Sequence, residues 1–368
     1  MPLRVAVEVW ARSLGCASLR LVTTPLIIRE LEANEDDDRW DEFVLGHPEG
    51  TFFHQLGWRR VIARTYGRRA HYLFAERNGK VEGVLPLFDS GDRPFSRNLV
   101  SIPVGVSGGI LASDDEAATL LRGAARALAE RERIRCIEYK SERALFPEMS
   151  TKADLYVTFR ETLLGDREKQ LAKIPRKSRA VLRTAERNHL RADFNRDDLE
   201  AFLDIYALSL RNLGTPMFPR ALFEHSLDAF PDTCDFLSVR HAGRIVGVVM
   251  NYYFRDVMLP FYAGVLPEVR DLGVNNYVYW VMLEQGYDRG FRTFDFGRSK
   301  VDTGAYHFKR HFGMREEPLA YQYELLDGAE MPNMNPTNPR YERAIKTWQK
   351  LPVAATKMVG PLISRRIP

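Results

Sequence analysis

The sequence predicts a mixed α/β protein made of two tandem copies of one domain, followed by a helical tail. The first observation behind this is internal repetition. Glu76-Arg77-Asn78-Gly79-Lys80-Val81-Glu82-Gly83-Val84 reads like Arg240-His241-Ala242-Gly243-Arg244-Ile245-Val246-Gly247-Val248. Further on, Gly109-Ile110-Leu111, a helical stretch and Ile134 to Tyr139 are echoed by Gly264-Val265-Leu266, a helical stretch and Phe291 to Phe296. The two offsets nearly agree, as a duplication with a few loop insertions requires. The second observation is a shared order: strand, Gly-containing hairpin, strand, strand, helix, strand. The third is size. At 368 residues and 45% hydrophobic, the chain exceeds one ordinary core and can fill two.

In chain order, Leu26 to Leu31 reads as a strand. The acidic cluster Glu35 to Asp38 then leads a helix with Trp40, Phe43 and Val44 on its apolar face, where negative charge suits the helix dipole. Leu56, Trp58, Val61, Ile62 and Thr65 recur at helical spacing within Gln55 to Tyr66. Strands are expected at 70–76, 81–88 and 99–103, and Ser107-Gly108-Gly109 as a tight turn. Ala117 to Glu132 is an amphipathic helix, and Ile134 to Lys140 a strand. Residues 147–162 carry the chain onward. A long helix over 166–191 must break near Pro175. Helices at 197–213 and 220–230 precede strands at 235–241, 244–253 and 257–265. A helix over 275–289, a strand at 293–296 and a closing segment at 317–326 complete the second copy. A Pro- and Asn-rich linker leads to a last helix bearing Tyr341, Ile345, Trp348 and Leu351 beside Lys346 and Lys350. The boundaries expected are 1–25 for an N-terminal extension, read as disordered or as following an upstream start codon, then 26–162, 163–328, and 329–368 for the linker and basic amphipathic tail.

Net charge is +4, so the basic character is local. Cys16, Cys136 and Cys234 share no metal-ligand spacing, no metal site is expected, and so sparse a count favours a reducing compartment. No stretch reaches the ~20 apolar residues that span a bilayer. The expectation is a cytoplasmic protein, with peripheral inner-membrane contact through Trp348, Lys346, Lys350, Arg365 and Arg366 as a secondary reading beside packing on the second domain.

Two constellations could carry chemistry. In the long helix, Arg176, Arg179, Arg183 and Arg187 recur at spacings of three, four and four, which places them on one face. Such a row attracts the phosphates of RNA, a nucleotide-linked sugar or a lipid headgroup. The second is Asp295-Phe296-Gly297-Arg298-Ser299-Lys300, followed by Gly304 and the run to Gly313. The first six residues leave a strand end, where α/β folds bind ligands. Gly297 and Gly304 permit unusual backbone. Acyl transfer builds negative charge on a carbonyl oxygen, and a fixed cation or N–H there stabilises it.

Phe308-Lys309-x-x-Phe312-Gly313, after the strand ending Asp295-Phe296-Gly297, resembles the closing signature of the FemAB family. These are tandem GNAT-fold proteins that transfer amino acids from aminoacyl-tRNA onto peptidoglycan precursors. Phe52-Phe53-His54-Gln55-Leu56-Gly57-Trp58, Tyr66-Gly67, Gly83 to Leu87, Ser101-Ile102-Pro103 and Gly108-Gly109 resemble the first domain of a FemAB-like branch found beside PEP-CTERM/exosortase and exopolysaccharide loci. The likeness covers roughly residues 26 to 326. It implies two GNAT-like domains, the second catalytic and the first degenerate or acceptor-binding. It also implies that Lys309 lies at the acyl-transfer centre.

The second half also resembles a single-copy GNAT branch associated with cellulose biosynthesis, in which the donor is acyl-CoA. No heptad insertion interrupts the chain, whereas Fem transferases often carry a coiled-coil arm for tRNA. The donor therefore stays open between acyl-CoA and aminoacyl-tRNA, with tRNA a partner in the second case. The pyrophosphate junction expected for acyl-CoA, Leu272-Gly273-Val274-Asn275-Asn276, holds one glycine and two amides. Attack by an amine requires its free base. Asp295, Asp302, His307 and Tyr262 are candidates by position for that deprotonation. Arg298, Ser299, Lys300, Gly304, Phe308, Asn275, Asn276 and the helix arginines are expected to bind substrate. His54 and Trp58, four apart on one helical face, either support the core or bind the acceptor. The function expected is acyl or aminoacyl transfer onto an amine of an envelope or exopolysaccharide precursor. An acyl-CoA-dependent N-acyltransferase and a non-catalytic protein binding a polysaccharide-assembly partner are the alternatives.

Overall fold

The structure is a computed structural model that describes residues 24–32, 37–90, 97–331 and 339–365, with the backbone alone at 339–342. Most of the expected N-terminal extension, Glu35 and Asp36, the linker from 332 to 338, the Tyr341 side chain and Arg366 lie outside the described residues.

The first half runs β1 (Ile27–Leu31), α1 (Asp38–Gly46), a 3-10 turn (Phe52–His54), α2 (Leu56–Tyr66), β2 (Ala70–Arg77), β3 (Lys80–Ser90), β4 (Asn98–Val100), β5 (Leu111–Ala112), α3 (Asp115–Arg131), β6 (Cys136–Lys140) and β7 (Ser150–Lys152). It continues through β8 (Tyr156–Thr162), α4 (Arg167–Lys173), α5 (Arg176–Arg187), β9 (Arg191–Asn195), α6 (Leu199–Leu213), α7 (Arg220–Ala229), β10 (Cys234–His241), β11 (Arg244–Phe254), β12 (Val257–Val265) and α8 (Val274–Gly286). The chain ends with β13 (Thr293–Asp295), β14 (Ser299–Lys300), α9 (Gly304–His311), β15 (Arg315–Pro318), β16 (Tyr321–Leu325), α10 (Pro339–Trp348) and α11 (Val353–Ser364).

The repeat is visible atom by atom. The β2–β3 hairpin turns on Asn78 (φ 53°) and Gly79 (φ 76°), and β10–β11 on Ala242 (φ 48°) and Gly243 (φ 79°). Two successive positive φ angles give the turn that matches strand twist. Both hairpins carry a bulge at the same relative place, after Ala75 and after Val239. Both need a glycine where the main helix crosses. A Cβ on Gly83 would lie 2.9 Å from Leu121 of α3, and one on Gly247 would lie 2.8 Å from Val274 of α8.

Two mixed sheets result, ordered β1-β2-β3-β4-β6-β16-β7, with β5 on β3, and β14-β8-β13-β12-β11-β10-β9, with β15 on β8. Each sheet thus takes a strand from the other half. β8 pairs antiparallel with β13, and β16 lies between β6 and β7. The expected boundary at 162/163 therefore does not separate the sheets, and 317–326 closes no single sheet. Its first residues belong to the second sheet and its last to the first. The expected turn at Ser107-Gly108-Gly109 is instead irregular chain beside β6. Its glycines answer crowding, because a Cβ on Gly108 would sit 1.9 Å from Ile102 and one on Gly109 2.1 Å from Ser141. The long helix breaks at Pro175 as expected, but it ends at Arg187, and Arg191 already begins β9.

One hydrophobic core runs continuously through both halves. Phe52 stacks on Tyr252 at 4.4 Å and touches Phe230 at 4.3 Å, while Phe53 meets Phe261 at 5.1 Å. Burying each such ring contributes roughly 1.5–3 kcal/mol. A second cluster fills the other face of the first sheet under α3. The tail packs on the second half: Trp348 is buried, and the Gln349 amide donates to the Asn212 carbonyl. α11 leaves Met358, Val359, Leu362 and Ile363 exposed. No described helix is long and apolar enough to cross a membrane.

Candidate functional site

The site is built where β12 and β13 part. They pair in parallel only at Val257–Thr293 and Met258–Phe294. Beyond them Gly297 takes φ 72°, a conformation that favours glycine, and turns the chain into β14. α9 lies against this bend. Phe308 and Phe312 seat it on Tyr279 (5.7 and 6.4 Å) and Phe296 (6.2 and 6.0 Å). The helix ends at Gly313 (φ 88°), where a Cβ would meet the Lys173 carbonyl at 3.0 Å. These contacts explain the two aromatics and the glycine of the Phe-Lys-x-x-Phe-Gly run.

They also aim Lys309 inward. Its Nζ donates to the Gly297 carbonyl at 2.8 Å and reaches the Arg298 carbonyl at 3.4 Å, 5.3 Å from the Phe296 ring centre. Burial pushes its ammonium down to about 7, with Asp295 opposing and Arg298 adding to the shift. An ammonium has three N–H groups, so two carbonyls leave one available. Beside it the Arg298 guanidinium lies 4.6 Å from the Tyr156 ring centre and donates to the Tyr321 hydroxyl at 3.3 Å. Arg298 forms no ion pair with a carboxylate among the described residues. Ser299 is buried, its hydroxyl without a partner among them. Lys300 is partly buried next to it.

Several expectations need correction. Asp295 is not a free base. Its Oδ1 accepts from Thr158 Oγ1 (2.6 Å) and the Gly297 N–H (2.8 Å), and its Oδ2 from Arg160 Nε (2.9 Å). Arg160 also holds Glu142 and Glu317, so this carboxylate helps tie β8, β13 and β15 together. Tyr262 is core: its ring packs on Tyr206, Phe218 and Phe223, and burial raises its hydroxyl far above the usual tyrosine range. Gly304 opens α9 in exposed space, where a Cβ would meet nothing within 4 Å, so no unusual backbone requires it. Asp302 and His307 are exposed.

His54 and Trp58 belong to the first half's framework. Trp58 is fully buried and donates to the Pro103 carbonyl. His54 Nδ1 accepts the Thr51 N–H, which leaves Nε2 to donate to the Gly109 carbonyl, each at 3.1 Å. Burial pushes this imidazole down to about 3, so it is neutral. It does border a cavity of about 360 Å³ between the halves, shared with Ser107, Arg143, Arg160 and Glu317. Glu49, Glu142 and Glu317 balance the arginines there, so the junction is mixed in charge.

On α5, Arg176 and Arg183 are exposed and Arg179 is half-buried. None of the three forms an ion pair among the described residues, and the Arg179 Nε is buried without a partner. Asn275 and Asn276 open α8 nearby. Gly273 before them meets α5 closely, since a Cβ there would lie 2.8 Å from the Val181 carbonyl. Its bare side is occupied by helix packing. The junction holds one glycine and two amides where acyl-CoA enzymes carry a glycine-rich cradle.

Residues missed by sequence reading are Arg160, Tyr156, Tyr321 and Lys140. Lys140 stands at the first copy's counterpart of Gly297, directly after the paired runs Ile134 to Tyr139 and Phe291 to Phe296, and that position is the signal that could have marked it.

Residues 168–310 match a family described as Acetyltransferase (GNAT) domain. No curated protein matches the sequence significantly. Among solved structures, FemX is similar at 15% identity with a TM-score of 0.65, over 80% of this chain and 96% of that one. The C-terminal domain of a putative lysylphosphatidylglycerol synthetase from Agrobacterium fabrum is similar at 12% identity and 0.54, over 78% and 90%. A tandem GNAT protein from the clavulanic acid biosynthesis pathway is similar at 12% identity and 0.52, over 83% and 100%. At such identities the likeness establishes the fold: two GNAT-like halves in tandem, as the repeat implies.

Proposed function

We propose that the protein is an acyl- or aminoacyltransferase that moves its group onto an amine of an anionic cell-envelope or exopolysaccharide precursor by direct transfer. One observation carries this reading. Lys309 is seated on the Gly297 and Arg298 carbonyls at a parted strand end, with one N–H left over. The GNAT match over 168–310 and the fold shared with FemX support the reaction class. The fold shared with the lysylphosphatidylglycerol synthetase domain supports an envelope acceptor.

In the reaction the acceptor nitrogen, as free amine, attacks the carbonyl carbon of an activated ester or thioester. The C–N bond forms and the carbonyl oxygen becomes an oxyanion, which the remaining Lys309 N–H stabilises. The C–O or C–S bond to the donor then breaks, and the proton lost by nitrogen leaves with the departing group. The two carbonyls keep the ammonium in place before charge develops, so little reorganisation is needed. Arg298 holds a phosphate of the substrate, and the arginines of α5 receive its longer anionic part.

Lys309→Met should lower kcat by about a hundredfold or more while the melting temperature stays near that of the parent. Unchanged turnover would sink the assignment. The Lys309 cation is present below about 7 and lost above it, so kcat should decline on the alkaline side from that point. Replacing Arg176, Arg179 and Arg183 with Ala should raise KM and leave kcat alone. Separate incubations with acyl-CoA and aminoacyl-tRNA decide the donor by which one gives acylated product. A protein inert with both that still retains a polysaccharide-assembly enzyme would favour a binding role.

A further inference from the structure

Lys140 ends β6 in the first half and is 3% exposed. Among the described residues its ammonium makes no hydrogen bond and no ion pair. Its place relative to the site follows from strand register. Lys140 lies directly opposite Tyr321 across the β6–β16 pair, and residues so opposed share a face of the sheet. The Tyr321 hydroxyl accepts from Arg298 and donates to the Val106 carbonyl. Arg298 in turn offers its own carbonyl to Lys309. Three cations therefore follow one another across the seam between the sheets, and the strand exchange brings them there.

Carboxylates do not neutralise this row at contact distance. Glu138, next on the same face of β6, accepts from the Tyr323 hydroxyl at 2.9 Å and forms no ion pair with Lys140. Asp295 is taken by Arg160, Thr158 and Gly297. A buried cation without a counter-charge is costly. The mutual repulsion shows in Lys140 itself: burial, and then the neighbouring Arg298 and Arg68 against the pull of Glu138, bring it down to about 8.

We propose that Lys140 and Arg298 form one anion subsite, in which a phosphate or pyrophosphate group of the substrate bridges the two halves. A planar guanidinium gives the two-pronged contact, and an ammonium gives a point charge. The Tyr156 and Tyr321 rings, 5.7 Å apart, hold Arg298 in orientation. The first half then supplies a binding residue rather than only a wall. This rests on the reading above that Arg298 holds a phosphate.

The test is titration of the full chain with inorganic pyrophosphate and, separately, coenzyme A, at constant ionic strength. Lys140→Met should weaken pyrophosphate binding by about tenfold or more, the scale of one charge-assisted contact. Lys140→Arg should restore most of it. Arg298→Met should weaken it similarly, and the double variant should lose less than the product of the two, because both contacts serve one ligand. Coenzyme A binding that also depends on Lys140 would identify the phosphate as the donor's; pyrophosphate dependence alone assigns it to the acceptor. Pyrophosphate should raise the melting temperature of the parent and not of Lys140→Met, which keeps the test valid if affinities are hard to measure. Pyrophosphate bound equally well by parent and Lys140→Met overturns the subsite. Lys309→Met separates the two readings, since it should abolish transfer and leave pyrophosphate binding intact.

Discussion

The end of β6 and the end of β13 are the same place in the two copies, and they are finished differently. In the second copy, Gly297 turns the chain away with φ 72°, the strands part, and Lys309 enters from α9. In the first copy the corresponding gap is filled by the protein's own chain. The Gly108 N–H donates to the Lys140 carbonyl at 2.9 Å, so residues 107–109 lie where the second copy is open. His54 and Thr51 pin that filler by bonding the carbonyls of Gly109 and Ser107. The duplication produced two equivalent strand ends. In the second, one glycine turns the chain away and one lysine enters the gap, while a glycine pair and a histidine close the first.

The contrast can be broken from either side. The largest effect on stability should come from Gly108→Val. Its side chain has no room beside Ile102, and overpacking of this kind costs about 1–3 kcal/mol. Chemical denaturation should register the loss, with kcat per folded molecule preserved. Gly297→Ala should be milder for the fold, about 1 kcal/mol for an alanine at positive φ, yet harmful to turnover. Displacing the Lys309 carbonyls by even ~1 Å can reduce rate by roughly a hundredfold. Equal kcat in Gly297→Ala and parent would mean that the bend does not set the chemistry.

The smallest effect is a pH dependence in the closed copy. His54 is held neutral down to about 3 in the fold, whereas an unfolded histidine takes up its proton near ~6.5. Below that value the unfolded chain binds the extra proton and the folded one does not. Stability contributed by His54 is therefore full above 6.5 and is lost progressively as pH falls towards 3. Denaturation midpoints in His54→Gln should show a flatter acid limb than the parent.

The parts legible in the sequence were those with local causes. Asn78-Gly79 and Ala242-Gly243 announce hairpins because the turn itself demands them. Pro175 breaks its helix within one turn. The inward placement of Lys309 has a local cause too, in a motif whose aromatics anchor its helix. The missed parts depend on distant partners. β8 reads as a plausible strand, but nothing in Tyr156 to Thr162 says which sheet it joins. β9, with Arg191, Asp193 and Asn195, is a polar edge strand that continues the helical charge pattern before it. Asp295 looked available because Arg160 and Thr158, which hold it, stand more than a hundred residues away. Tyr262 looked like a base because sequence does not reveal the aromatic cluster around it.

The exchange of β8 and β16 also has a consequence for how the protein is made. Chains emerge from the ribosome N-terminus first, and long-range strand pairing is slow because its loop must close before contacts form. β6 and β7 emerge flanking a vacant lane that only Tyr321–Leu325 fills. The first sheet therefore stays unfinished until nearly the whole second half has been synthesised. The duplicated gene encodes two domains, but the cell completes them as one folding event, ordered by the last strand to arrive.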